Sequence, residues 1–426
     1  MAHNCWGLAR HSVINIPIMT LSYDSQELRH DPYPIYARLR AEQPIAPFGG
    51  YDAKDGSGLF VARYADVMTV LKDARFSTER RKITPPRKPA KIKINLMPSV
   101  INALMDSMVM VDDPRHARLR TLVHKAFTPG MIQRMQGRIE GITAALLDTA
   151  AQQPRCDLMA AFALPLPITV ISEMMGVPEK DRTRFHHYMD RFLHSASHAD
   201  LRGQLGQLAN AFGLHRFLKG LIAQHVQHPQ DDLTTALVQA EEQGDKLSQD
   251  ELVGMLLLLL LAGHETTVNL IGNGMLALLE HSDQFEKLKA HPELLDSAIE
   301  EMLRFTNPVQ QIAERFTLEE VNFGGQILPK GSTIIVGIAS ANRDERVFGN
   351  TADQFDITRK PNPHIAFGFG IHYCLGAPLA RLEAQIAFRA LLQRFPNMRL
   401  AADPNTLEWR GNVALRGLKA LPVVWS

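Results

Sequence analysis

Residues 367–376 read Phe-Gly-Phe-Gly-Ile-His-Tyr-Cys-Leu-Gly, and each residue type in this run has a chemical use. Gly368 and Gly370 open backbone angles closed to other residues, so a tight loop can form after Phe367. Cys374 then stands at the entry of an apolar-periodic stretch, LGAPLARLEAQIAF, that reads as a helix. A helix N-terminus with free backbone N–H groups stabilises a thiolate. Gly376 lets a flat cofactor lie close to the backbone. A thiolate so placed can be the axial ligand of a haem iron. The competing reading is a structural cysteine buried beside a Gly-rich turn; four matching spaced positions argue against it.

A second constellation lies in Ala262-Gly263-His264-Glu265-Thr266-Thr267, inside a long apolar run. Ala262 and Gly263 are small enough to clear room for a flat ring and a diatomic ligand. An acid beside a hydroxyl is a costly placement in an apolar helix. The Thr266 hydroxyl can bond back to the Ala262 carbonyl four residues earlier, or release it. Thr267 reads as structural. The competing reading is a polar stripe solvated by buried water.

Cations recur at useful spacings. Asp113-Pro114 reads as a helix cap and first-turn pair, and His116 and Arg120 follow at i and i+4 on one face, able to reach one anion. Arg315 comes from a strand-like region, and His372 from the cysteine loop. Glu301 and Arg304 lie one turn apart; alone, such a pair is usually a weak surface contact.

The run Phe367-x-x-Gly370-x-His372-x-Cys374-x-Gly376 resembles the haem-ligand loop of the cytochrome P-450 superfamily. The resemblance extends from Asp31-Pro32-Tyr33-Pro34 to the closing RGLKALPVVW and is to the soluble bacterial members. It implies a single large domain over 26–426, mainly α with a small β region, preceded by a poorly ordered extension over 1–25. A long central helix would cross over haem b held by the Cys374 thiolate. Phe367, Gly368, Gly376 and Ala262 would border the cofactor, and His116, Arg120, Arg315 and His372 would contact its propionates. Glu265 and Thr266 would manage protons during oxygen activation. Arg359 would join Glu301 and Arg304 in a buried network that supports the haem-side loops. Substrate would be lined by Met105, Met108, Leu261, Ala262, Gln311, Ile312 and Leu415, an apolar and adaptable set.

The implied activity is dioxygen-dependent hydroxylation or epoxidation of a largely apolar molecule, of the fatty acid, terpenoid, steroid or polyketide class. About 30 residues follow position 395 and no dinucleotide fingerprint stands out, so electrons are expected from a ferredoxin or flavodoxin with its reductase. The rivals are a peroxygenase driven by hydrogen peroxide, against which Glu265-Thr266 argues, and a non-catalytic haem sensor or electron carrier.

These residues need elements to position them. GLFVARY (58–64) reads as a strand and 65–73 as the helix after it; 80–93, with Pro85, Pro86 and Pro89, reads as a loop. Residues 114–225 read as mostly helical. Residues 250–280 are apolar on nearly every face, which predicts a helix through the protein centre. Two helices are expected within 287–305, short strands after Pro308, and helix again over 375–395.

Composition narrows the classes. Of 426 residues, 46 are Lys or Arg and 45 Asp or Glu, for a net charge of +1, which excludes a strongly basic nucleic-acid binder as a whole-chain reading. Three cysteines without a C-x-x-C pair make no disulfide framework. The longest apolar run, 252–263, is shorter than the roughly 20 residues of a membrane span, so a cytoplasmic protein without a span is expected. Arg115, Arg118, Lys125 and Arg381 suggest a basic patch for an acidic redox partner. Arg80, Arg81, Lys82, Arg87, Lys88, Lys91 and Lys93 cluster where the family places the channel mouth, and would favour an anionic substrate.

Overall fold

Four helices pack around a fifth that crosses the molecule. In the computed structural model, residues 21–22, 25–49, 57–83, 106–194, 201–410 and 413–425 are described. Met105, Arg87, Lys88, Lys91, Lys93 and most of the N-terminal extension lie outside them. The central helix, Gln249–Glu280, opens with a capping box. The Ser248 hydroxyl accepts from Glu251 N–H at 3.3 Å, and the Glu251 carboxylate accepts from Ser248 N–H at 2.8 Å. Two orphan donors are thereby satisfied. From Leu252 to Leu278 most side chains are buried, because Pro165–Met174, Leu201–Gln227, Leu295–Thr306 and Ala377–Arg394 pack around it. This is the one described helix long and apolar enough to cross a membrane, and 72% of its apolar window is buried inside the protein.

The β region is small. Six strands pair in the order Leu21–Ser22, Ile45–Gly49, Ser57–Val61, Thr333–Val336, Ile312–Thr317, Phe76–Ser77. Thr333–Val336 runs parallel to Ser57–Val61 and antiparallel to Ile312–Thr317, with Ile334 opposite Arg315. Arg315 is buried in this strand together with Phe316 and Thr317. A two-stranded hairpin pairs Trp409–Arg410 with Gly417–Leu418 and leans on the central helix.

Local boundaries follow capping chemistry. Tyr64–Lys72 is the helix after the Ser57–Val61 strand, and Pro292 separates Ser282–Ala290 from Leu295–Thr306. Two expectations need correction. Arg80–Lys82 is a single 3-10 turn rather than loop. Pro114 is the N-cap of Arg115–Ala126, not a first-turn residue; the Asp113 carboxylate instead accepts from Ala117 N–H at 3.0 Å.

Candidate active site

The cysteine loop is closed by its own backbone. Cys374 N–H donates to Phe367 C=O at 2.9 Å, and Gly368 N–H to Ile365 C=O at 2.8 Å. Gly368 and Gly370 have φ of 74° and 75°, the left-handed region that glycine enters without steric cost. At Gly370 a Cβ would also fall 2.7 Å from the Leu71 carbonyl oxygen. The loop delivers Cys374 to the start of Ala377–Arg394, whose N-cap is Gly376. Burial pushes the Cys374 thiol up, while the Gly376 and Ala377 N–H groups, with Arg120 and Arg381, pull it down.

The central helix carries the notch its sequence suggests. Thr266 Oγ1 donates to the Ala262 carbonyl at 2.6 Å. Ala262 is exposed, and Leu261, Gly263, Glu265 and Thr266 are half-buried, in a helix otherwise buried for most of its length; His264 and Thr267 face inward. An open face at mid-helix is where a flat group can lie.

Four donors converge. The His116 and His372 rings stand 4.5 Å apart, edge to face. His116 Nδ1 bonds the Asp113 carboxylate at 3.3 Å; donating from Nε2 as well takes the imidazolium form, which an anion placed at Nε2 would favour. Nε2 of both histidines is buried without a hydrogen-bond partner. Burial lowers the His372 imidazole to about 3, helped by the Arg315 and His116 charges. Burial likewise lowers the Arg315 guanidinium, to about 10. Arg120 reaches the same loop, donating to Ile371 C=O at 3.0 Å. Buried donors left unsatisfied cost about 1–3 kcal/mol each, so this cluster fits an anion, and two orphaned imidazole nitrogens fit the two carboxylates of a haem. Sequence reading missed Asp112, which anchors the segment beside this cluster. Its carboxylate accepts from Ser77 Oγ, from Thr78 N–H at 3.1 Å and from Lys82 Nζ at 2.7 Å. No local pattern marks it, since its donors lie 30 to 35 residues earlier.

Glu301 and Arg304 are fully buried and bonded at 2.7 and 2.8 Å. Arg359 Nε donates to Glu301 at 3.1 Å, as does Asn362 Nδ2. Arg304 also donates to the carbonyls of Asn342, Ala352 and Gln354. Asn342 Oδ1 in turn accepts from Ile365 N–H at 2.8 Å, which ties the network to the cysteine loop.

The expected substrate lining is partly covered. Met108 and Gln311 are buried, whereas Leu261, Ala262, Ile312 and Leu415 keep accessible surface; Met105 lies outside the described residues. Ile312 Cδ1 would meet a Cβ on Gly368 at 3.5 Å, so this side chain stands beside the cysteine loop.

Two charge expectations are corrected. Arg118 is bound by Asp245 and by Glu251 at 2.6 Å, Lys125 by Glu242, and Arg381 by Glu300 at 2.6 Å. These cations bridge elements instead of forming a free basic patch. Arg80 pairs with Glu314 at 3.3 Å, Arg81 with Asp106 at 2.6 Å and Lys82 with Asp112 at 2.7 Å. Carboxylates brought in from outside the segment thus neutralise these three cations; the other four of the cluster lie outside the described residues.

A thiol loop, a notched central helix and a cluster of buried imidazole and guanidinium groups fit a haem oxygenase, and the comparisons agree. A family model described as Cytochrome P-450 matches residues 97–416. The polyketide biosynthesis cytochrome P-450 PksS of Bacillus subtilis (strain 168) is 44% identical over 403 residues, covering 94% of this chain and 97% of that protein. Its solved structure superposes with a TM-score of 0.87, at 42% identity, covering 94% and 98%. The monooxygenase PikC of Streptomyces venezuelae is 42% identical over 413 residues, covering 96% and 94%. The structure of P450BioI in complex with an acyl carrier protein bearing hexadec-9Z-enoic acid has a TM-score of 0.83 at 35% identity, covering 94% and 100%. The chain belongs to the cytochrome P-450 family and is a monooxygenase. The fold is mainly helical with small sheets, and the family implies a haem cofactor.

Proposed function

We propose that the chain hydroxylates or epoxidises a large aliphatic molecule of polyketide type, with electrons from a separate small iron–sulfur or flavin protein. Relatives named for polyketide and macrolide chemistry, at 44% and 42% identity over nearly the whole chain, carry the substrate assignment. Cys374 is the iron ligand. His116, His372 and Arg315, with Arg120 at the edge, hold the propionates, because that contact satisfies the two orphaned Nε2 atoms. Bound haem supplies dioxygen activation. The protein's own part is to present substrate at the Ala262 face and to move protons. The bond from Thr266 Oγ1 to Ala262 C=O holds the hydroxyl at the helix notch, and Glu265, one residue before, supplies the carboxylate. The apolar residues Leu261, Ile312 and Leu415 exclude water and orient an aliphatic chain.

The test is a panel of macrolactones and long-chain fatty acids, scored by the low-spin to high-spin shift and by product mass. A macrolactone should give the shift and a product heavier by one oxygen atom when the iron–sulfur partner and its reductase supply electrons. Turnover of fatty acids alone would refute the polyketide assignment. Equal product from hydrogen peroxide without any electron donor would favour the peroxygenase reading.

A further inference from the structure

Glu300 precedes the buried Glu301 by one residue on Leu295–Thr306 and serves a different set of partners. Arg381, on Ala377–Arg394, grips it with two prongs: Nε donates to Oε1 at 2.6 Å and Nη2 to Oε2 at 2.7 Å. His364 adds a third donor. Its Nδ1 accepts from Ala366 N–H at 3.2 Å, so the ring's proton sits on Nε2, which donates to Glu300 Oε2 at 2.9 Å. Burial raises the Glu300 carboxyl, but Arg381 and His364 outweigh that and hold it at about 2. The group is therefore a carboxylate at neutral pH.

Both arms of this cluster end on the cysteine loop. The Arg381 guanidinium lies over the Phe367 ring, 4.5 Å from its centroid, and its Nη1 reaches Tyr373 Oη at 3.5 Å. The Phe367 C=O accepts from Cys374 N–H at 2.9 Å, and Tyr373 is the residue before Cys374. The His364 arm ends on the Ala366 N–H, one residue before Phe367. The negative face of a ring attracts a cation, and a guanidinium held at two nitrogens is fixed in orientation as well as in place. Glu300 supplies that two-point hold. It also sets a negative charge against the positive one that the loop would otherwise face alone.

We propose that Glu300 is a positioning residue for the cysteine loop: it fixes Arg381 over Phe367, offsets the Arg381 charge at the Cys374 sulfur, and so keeps the reduction potential of the bound haem low. The inference rests on Cys374 being the iron ligand and extends to a residue two contacts away from it. Charge and hydrogen bonding around a ligand sulfur tune the metal it holds. An uncompensated cation beside the sulfur favours the reduced form, which carries one more electron. Removing the cation instead leaves Glu300 uncompensated and favours the oxidised form.

The test is a spectroelectrochemical titration of the haem-loaded, substrate-free protein, with mediators carrying one electron per haem from an electrode. Glu300→Gln should raise the ratio of reduced to oxidised protein at a fixed potential about tenfold, an upward midpoint shift of about 59 mV for one electron. Arg381→Met should move the midpoint the opposite way. The double variant should return close to the natural value, and Glu300→Asp, which keeps the charge, should stay near it. Unfolding temperatures of all four variants are recorded alongside. A cluster that merely braces the loop would lower the unfolding temperature of both single variants while moving their midpoints in the same direction or not at all; either result overturns the inference. The spectrum of the reduced, carbon monoxide-bound natural chain separates the two levels. Without a red-shifted Soret band, the ligand reading fails and the inference with it. With the band present and the midpoints unmoved, only the inference about Glu300 fails.

Discussion

Replacing Glu301 by Gln keeps the side chain's shape and removes its charge, and it probes the most deeply buried ion cluster among the described residues. Glu301 and Arg304 are both 0% exposed. The carboxylate accepts from Arg304, Arg359, Asn362 Nδ2 and Asp356 N–H, the last at 3.0 Å. A glutamine can accept at one atom only, and its NH₂ faces donors. Breaking a buried pair by removing one partner costs about 3–5 kcal/mol. Arg304 keeps three backbone carbonyls, which places the loss near the lower end, about 3 kcal/mol. At about 2.1 cal/mol/K per residue, 426 residues give an unfolding entropy of about 0.9 kcal/mol/K. The half-unfolding temperature should then fall by about 3 °C. Because Asn342 and Asn362 link the cluster to the cysteine loop, haem should also be lost faster. Scanning calorimetry and a haem-transfer assay measure the two effects. The control is Glu42→Gln, whose partner Arg38 is half exposed; it should shift the temperature by less than 1 °C, since such pairs contribute about 0.3–0.5 kcal/mol. Equal shifts for the two variants would refute the argument that burial gives the Glu301 cluster its weight.

Thr266→Ala should leave haem content and substrate binding intact while product per NADPH falls and peroxide rises, because a positioned proton donor contributes about 10²–10⁴-fold to proton transfer; unchanged coupling would reduce Thr266 to a helix residue. Asp112 predicts an acid limb. Burial raises its carboxyl, but Lys82, Ser77 and Thr78 outweigh that and hold it at about 2, below the ordinary 3.8. A depressed carboxyl contributes stability above its unfolded value, and that stability is lost as pH falls through the folded value, here between about 4 and 2. Asp112→Asn should flatten this part of the stability–pH curve, followed by urea midpoints, by about 1 kcal/mol once solvent screening of this half-buried group is allowed for; an unchanged limb would contradict the assignment.

What was legible in the sequence was local. The cysteine loop could be read because its turn glycines, Gly368 and Gly370, stand six and four residues before Cys374, and the central helix because its apolar run is unbroken. The Ala262–Thr266 notch lies within one helical turn, so spacing alone defines it. Long-range charge pairing was not legible. Arg118 finds Asp245 and Glu251 at separations of 127 and 133 residues, and Arg381 finds Glu300 at 81. Read along the chain, these cations look free; folding brings carboxylates to them. Arg80, Arg81 and Lys82 mislead for the same reason, since the absence of acids nearby in sequence says nothing about Glu314 or Asp112 nearby in space.

The central claim is that the Cys374 sulfur binds iron. The measurement is the absorption spectrum of the reduced, carbon monoxide-bound protein, taken for the natural chain and for Cys374→His at matched haem content. The natural chain should show the red-shifted Soret band that reports thiolate ligation, and the variant should lose that shift while retaining haem. A red-shifted band that persists in Cys374→His would contradict the account.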